Sequence, residues 1–201
     1  MDHEQLLCRA IDFAERFHRG QPRKGTQKPF FTHPVAVGML VLAHGHGIDA
    51  AVVGLLHDVI EDTPADRDEV EDTFGPEIAR AVVDLSEVDK TLAWEERKRA
   101  YVDHLADAAD LALPACAADK IHNLRSMLWD LEEAREGGSD PDAVWRRFKR
   151  PPHQISAYNR SVWAALRGRG FSGALLDSLD AAILQFAAAV GADPASSVFA
   201  R

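Results

Sequence analysis

Apolar residues recur at helical spacing along almost the whole chain, and nowhere do they alternate convincingly with period two. Leu6, Leu7, Ala10, Ile11, Ala14 and Phe17 form the first such stripe. Residues three and four apart share one face of a helix, whereas a strand sends neighbours to opposite faces. The pattern therefore demands a helix at nearly every step. A loop, "RGQPRKGTQKPF", follows the first stripe, and Pro34 opens "PVAVGMLVLAHG". A third helix is expected from about Asp49 to Asp62, stopping before Thr63-Pro64. "DEVEDTFG" should close at Gly75, with a further helix from Pro76 to about Ser86. "AWEERKRAYVDHLADA" is amphipathic, and "ALPACAADKIHNLRSMLWDL" is helical after Pro114. After the break "EGGSDPD", a long helix should reach about Leu166, and "GALLDSLDAAILQFAAAVG" makes the last one. No internal repeat or domain boundary stands out. The expectation is all-α, one helical-bundle domain over residues 1–201, with C-terminal helices at about 140–190 packing on the rest.

The balance of 46% hydrophobic and 27% charged residues in 201 is that of a globular chain able to bury a core. Its net charge of −9 argues against DNA or RNA as a partner, since such binding draws on Lys and Arg against phosphate. One local basic cluster plus a metal could still hold a small phosphorylated ligand. Cys8 and Cys116 are far apart and lack CxxC spacing, so they read as reduced thiols. The charged N-terminus is no signal peptide, and "PVAVGMLVLA" is too short to span a bilayer. These features imply a soluble, cytoplasmic protein with no membrane partner. Oligomeric state leaves no signature in the pattern.

The chemistry concentrates in "GLLHDVIEDT". His57 and Glu61 are four apart, and so are Asp58 and Asp62, so a helix here would carry one compact polar patch among Val52, Val53, Leu56, Val59 and Ile60. Burying free carboxylates in such surroundings is costly without a counter-charge, and a divalent cation would supply one. The competing reading is a solvated helix end. Two other signals weigh against it. "FTHP" places His33 at the start of the second helix, and "AADKIHNL" places Asp119 in an apolar helical segment with Asn123 one turn later.

The pattern H…HD…D, with acids one turn after the HD pair, resembles the HD superfamily of metal-dependent phosphohydrolases. "HRGQPRKGTQKPFFTHP", "GLLHDVIEDT", "FGPEIARAVVDLSE" and "AADKIHNLRSML" look like the hydrolase domain of RelA/SpoT-type proteins, most of all its stand-alone form, the small alarmone hydrolases. The resemblance covers roughly residues 3 to 130, with the motifs in the expected order. It implies that His33, His57, Asp58 and Asp119 ligate a metal, usually Mn²⁺. It implies that Glu61 and Asp62 orient or deprotonate the attacking water. It implies that Arg23 and Lys24 meet the nucleotide, that Asn123 lies near the ribose, and that Lys120 reaches phosphate.

The chain departs from the family at two positions. Phe30 stands where many relatives have Tyr, which keeps a ring and loses a hydroxyl. Cys116 stands where many have a basic residue, which removes one phosphate contact. The implied activity is hydrolysis of (p)ppGpp at its 3′-pyrophosphate, giving GDP or GTP and pyrophosphate. The alternatives are an HD phosphohydrolase acting on NADPH or a dNTP, and a non-catalytic nucleotide sensor.

Overall fold

The computed structural model describes residues 2–87, 91–138, 140–148 and 150–197. Among them it is all-α, without a strand; Pro22 and Pro29 form an isolated antiparallel bridge. The chain divides into two compact units, Met1–Asp119 and Lys120–Arg201.

The first unit contains α1 (His3–His18), α2 (Thr32–Ala43), α3 (Ile48–Leu56), α4 (Val59–Asp62), α5 (Arg67–Phe74), α6 (Pro76–Leu85), α7 (Trp94–His104) and the opening turns of α8 (Ala112–Glu136). Local chemistry sets the boundaries. Asp2 caps α1 by accepting from the Gln5 N–H. Asp66 and Glu69 form a capping box on α5. Gly75 turns the chain at φ 87°, a conformation costly for a residue with a Cβ, and Pro76 then starts α6. Pro114 lies inside the first turn of α8, where its missing N–H costs nothing, so α8 begins earlier than the proline suggests.

The third helix differs from the sequence expectation. The expected span from Asp49 to Asp62 is two helices, α3 and α4, with a break at His57-Asp58. His57 Nδ1 bonds the Gly54 carbonyl at 2.8 Å, an oxygen that an unbroken helix would give to the Asp58 N–H. Asp58 then caps α4, and its carbonyl accepts from the Asp62 N–H at 2.9 Å.

Helix α3 is the centre of the first unit, with every residue from Ala50 to Leu56 buried. It packs against α1, α2 and α6. The crossing with α2 is very close. A Cβ on Gly54 would stand 3.2 Å from Gly38 Cα and N, and one on Gly38 would stand 2.9 Å from Leu55 Cγ and 3.1 Å from the Ala51 carbonyl oxygen. The absence of both side chains brings the start of α2 beside the end of α3.

In the second unit α8 continues from Lys120, followed by α9 (Asp142–Arg146), α10 (Pro152–Gly168) and α11 (Ala174–Val190). The long helix expected up to Leu166 is thus two pieces, because Pro151-Pro152 cannot continue a helix and instead starts a new one. Helices α10 and α11 pair through Val162, Leu166, Leu179, Ile183 and Phe186, all buried. Arg160 ties the pair together by bonding Asp180 at 2.6 Å.

Gly38→Ala tests the crossing. Overpacking a tight contact costs about 1–3 kcal/mol, and replacing a helical Gly returns about 1 kcal/mol of propensity. A net loss is expected, read as a lower urea midpoint with an unchanged m-value. A midpoint at or above wild type would show slack between the helices.

Candidate active site

The crossing brings His33, His57 and Asp58 together, and α8 adds Asp119 beside the two histidines. His33, in the first turn of α2, and His57, just after α3, are both buried, with ring centroids 5.0 Å apart. His33 Nε2 lies 3.1 Å from Asp119 Oδ1 and 3.5 Å from Asp58 Oδ2. His57 Nε2 lies 3.1 Å from Asp58 Oδ2 and 3.7 Å from Asp119 Oδ1. One ligand atom from each of His33, His57 and Asp58 falls within 4.8 Å of the others. Ligands about 2.1 Å from a shared cation stand roughly 3–3.5 Å apart, close to the 3.1–3.7 Å seen here.

The tautomer of His57 follows from its other nitrogen. A carbonyl only accepts, so Nδ1 must donate to Gly54, and Nε2 is the atom left facing the carboxylates. Nε2 is fully buried, and the groups it faces are the Asp58 and Asp119 carboxylates. Two carboxylates and two imidazoles brought together with so little exposure call for a positive charge, and the set of two nitrogens and two oxygens fits a borderline divalent metal.

The titration of the site tells the same story. Burial disfavours the charged form of His57, but Asp58 and Asp119 outweigh it and raise its pKa well above 6.5. Burial likewise works against the Asp58 carboxylate, yet His57 and His33 bring its pKa down to about 2. At His33 burial wins, and its pKa is lowered. The two carboxylates thus favour a positive charge beside them, as the raised His57 pKa shows.

Glu61 is half-buried on α4, and its Oε2 accepts from the Glu87 N–H at 3.1 Å. Burial raises its pKa, aided by the negative charges of Glu87, Asp58 and Asp62 and opposed by that N–H. Asp62 is exposed, and its carbonyl accepts from Gln21 Nε2 at 3.0 Å.

The loop between α1 and α2 folds back on itself. The Arg23 N–H bonds the Lys28 carbonyl at 2.8 Å, and the Phe30 N–H bonds that of Gln21 at 2.7 Å. Arg23 is half-buried, its guanidinium 5.8 Å from the Phe30 ring centroid, and Lys24 is exposed. Phe30 meets His33 edge-on at 5.8 Å and His18 at 4.8 Å. Cys116 is buried in α8, with its sulfur 3.4 Å from the Tyr101 hydroxyl. Cys8 and Cys116 are both free thiols. Lys120 and Asn123, on α8, belong to the second unit, where the Lys120 ammonium lies 5.7 Å from the Tyr158 ring. No described helix is long and apolar enough to cross a membrane.

Sequence reasoning passed over His18, Gln21 and Glu87. His18 is buried, and its Nδ1 donates to Gln21 Oε1 at 2.9 Å, which fixes the amide that reaches Asp62. A His and a Gln three apart at a helix end is a weak pattern, and nothing in the sequence singled it out.

A helical bundle with a His-His-Asp cluster of this kind defines a class. The HD domain model matches residues 10–169, and the chain belongs to the HD domain family. Within it, the chain is similar to human guanosine-3′,5′-bis(diphosphate) 3′-pyrophosphohydrolase MESH1, at 42% identity over 125 residues, 60% of this chain and 69% of that protein. It is 33% identical over 132 residues to the bifunctional (p)ppGpp synthase/hydrolase SpoT of Escherichia coli K12, covering 63% of this chain and 18% of SpoT. Among solved structures it resembles a metazoan SpoT ortholog that hydrolyses ppGpp, with a TM-score of 0.72 and 29% identity over 90% of this chain and 94% of the other.

A metal ion held by His57 Nε2 would compete with a proton there, which Asp58 and Asp119 favour. Binding should therefore release a proton and weaken as pH falls below the raised His57 pKa. Calorimetric titration with Mn²⁺ in two buffers of different ionisation enthalpy measures this. Identical heats and a pH-independent affinity would mean that His57 is not a ligand.

Proposed function

We propose that this protein hydrolyses guanosine 3′,5′-bis(diphosphate) or its 5′-triphosphate analogue at the 3′-pyrophosphate, releasing GDP or GTP and pyrophosphate. The observation that carries this reading is the buried cluster of His33, His57, Asp58 and Asp119 with Glu61 beside it, in a chain so similar to enzymes of that activity. The four residues of the cluster would hold the metal, which we take to be Mn²⁺. When bound, it would supply Lewis acidity toward a phosphoryl oxygen and lower the pKa of water.

The chain's own residues do the rest. Glu61 accepts the proton of the attacking water, and the burial that raises its pKa makes it a better base than a solvated carboxylate. Asp62 helps to orient that water. Oxygen bonds to phosphorus, the bond from phosphorus to the ribose 3′ oxygen breaks, and that oxygen leaves on the nucleotide and takes up a proton. Arg23 and Lys24 hold the nucleotide: Arg23, already packed on Phe30, offers a flat cation for a base or a fork for phosphate, and Lys24 offers a point charge. Asn123 contacts the ribose and Lys120 the phosphate. A cytoplasmic location fits a nucleotide substrate.

The test is to incubate Mn²⁺-loaded protein with a panel of ppGpp, pppGpp, NADPH and dNTPs and to identify the products. Pyrophosphate released from ppGpp or pppGpp is expected. Release of phosphate or triphosphate from another nucleotide would reassign the substrate, and binding without turnover would make the protein a sensor.

Two variants examine the roles. Glu61→Gln should keep its metal and substrate affinity while turnover falls by roughly 10²–10⁴. Asp58→Asn should lose metal and activity together. Wild-type turnover in Glu61→Gln would remove that residue from the mechanism. Replacing Arg23 and Lys24 by Ala should raise KM by roughly tenfold or more per residue, since a charge-assisted contact is worth on the order of 1.5–3 kcal/mol. An unchanged KM in the double variant would leave both as solvated loop residues.

A further inference from the structure

We infer that Glu87 is a positioning residue for Glu61: its carboxylate, clamped between Arg97 and Lys98, fixes the backbone N–H that holds the Glu61 carboxylate toward the water it deprotonates. The inference rests on the proposed role of Glu61 as general base.

Glu87 lies just past the end of α6. There the Ser86 hydroxyl donates to the Val82 carbonyl at 3.1 Å and the Ser86 N–H to that of Val83 at 3.0 Å. These bonds close the helix and turn the chain so that the next N–H meets Glu61, 26 residues earlier. The Glu87 side chain is only 8% exposed, unusually little for a loop carboxylate. It is not left uncompensated. Arg97 Nη1 pairs with Oε2 at 2.8 Å, and Lys98 pairs with Oε1. Arg97 and Lys98 are consecutive on α7, so they reach the carboxylate from different directions, one cation to each oxygen.

Burying a carboxylate with two cations is a poor way to gain stability, because desolvation consumes much of the Coulomb attraction. Such an arrangement does define geometry. The clamp fixes the end of α6 against α7, and the group it fixes is the N–H on Glu61. The last torsion of a glutamate is broad, so an unrestrained carboxylate sweeps a wide arc. A donor at 3.1 Å on one oxygen narrows that arc and leaves a defined face of the carboxylate for the water. Misplacing a reacting group by about 1 Å can cost on the order of a hundredfold, so the restraint bears on rate.

The experiment pairs Glu87 variants with the Glu61 variant in Mn²⁺-loaded protein, with ppGpp as substrate. It records kcat, KM and bound Mn²⁺ together with the urea midpoint. Glu87→Ala keeps the N–H and loses the clamp. It should lower kcat about tenfold with KM and bound Mn²⁺ unchanged, and Glu87→Gln, which keeps an acceptor oxygen for one of the two cations, should lower it less. In the Glu61→Gln background, followed by single turnover, Glu87→Ala should cause no further loss. The same fold-loss in both backgrounds would overturn the inference, as would an unchanged kcat or an effect confined to KM. If Glu87→Ala does not fold, Glu87→Gln carries the same two-background comparison. The underlying base assignment fails separately: it falls if Glu61→Gln alone retains wild-type turnover, whatever Glu87 does.

Discussion

The close crossing of α2 over α3 is the constraint on which the rest of the site depends. Gly54 serves it twice. Its missing side chain lets the Gly38 backbone approach, and its carbonyl takes the Nδ1 proton of His57. The first role brings two histidines from separate helices to a centroid distance of 5.0 Å, and the second decides which nitrogen of one of them faces the carboxylates. A larger residue at Gly54 would push apart the helices that bring the ligands together. Packing and chemistry therefore meet in one residue with no functional side chain.

That bond also explains why a polar patch sits in so apolar a segment. Val52, Val53, Leu56 and Val59 are fully buried, and His57 and Asp58 lie among them. By drawing on the Gly54 carbonyl, His57 ends α3, and the chain restarts as α4 with Asp58 as its first cap. The turn aims His57 and Asp58 inward, while Asp62 is left exposed. His33, His57 and Asp119 are buried and Asp58 is largely shielded, so the attraction between these groups and a cation would be stronger than at the surface.

Much of this was legible in the sequence, and what was not has physical reasons. The helices α1, α2, α5, α6 and α11 follow from period, caps and punctuation. The break at His57-Asp58 does not, because neither residue is a strong helix breaker; it arises from a side chain bonding its own backbone. The piece after α9 was missed where the Pro151-Pro152 pair was read as helix interior. The grouping of His33, His57 and Asp58 was visible because imidazoles and carboxylates in apolar surroundings are conspicuous. Gly38, Gly54, Gln21 and Glu87 were not, because their work is done through close approach, an amide link or a main-chain N–H, and none of these leaves a compositional trace.

The loop after α1 joins the two sides of the proposed chemistry. Its Phe30 lies between His18 and His33, and Arg23 lies over the same ring. Its Gln21 is held by His18 and holds the carbonyl of Asp62, at the end of the helix that carries Glu61. A nucleotide gripped by Arg23 would thus be referenced, through one ring, to a metal ligand. Through one amide the same loop is tied to the end of α4. Both ties pass through His18, which is buried and fixed at the C-terminus of α1. A reaction that needs water, metal and phosphorus in line gains from such a common anchor, because the parts then share one frame of reference. On this argument the loss of the tyrosine hydroxyl at Phe30 matters less than retention of the ring, since it is the ring that ties the loop to His33.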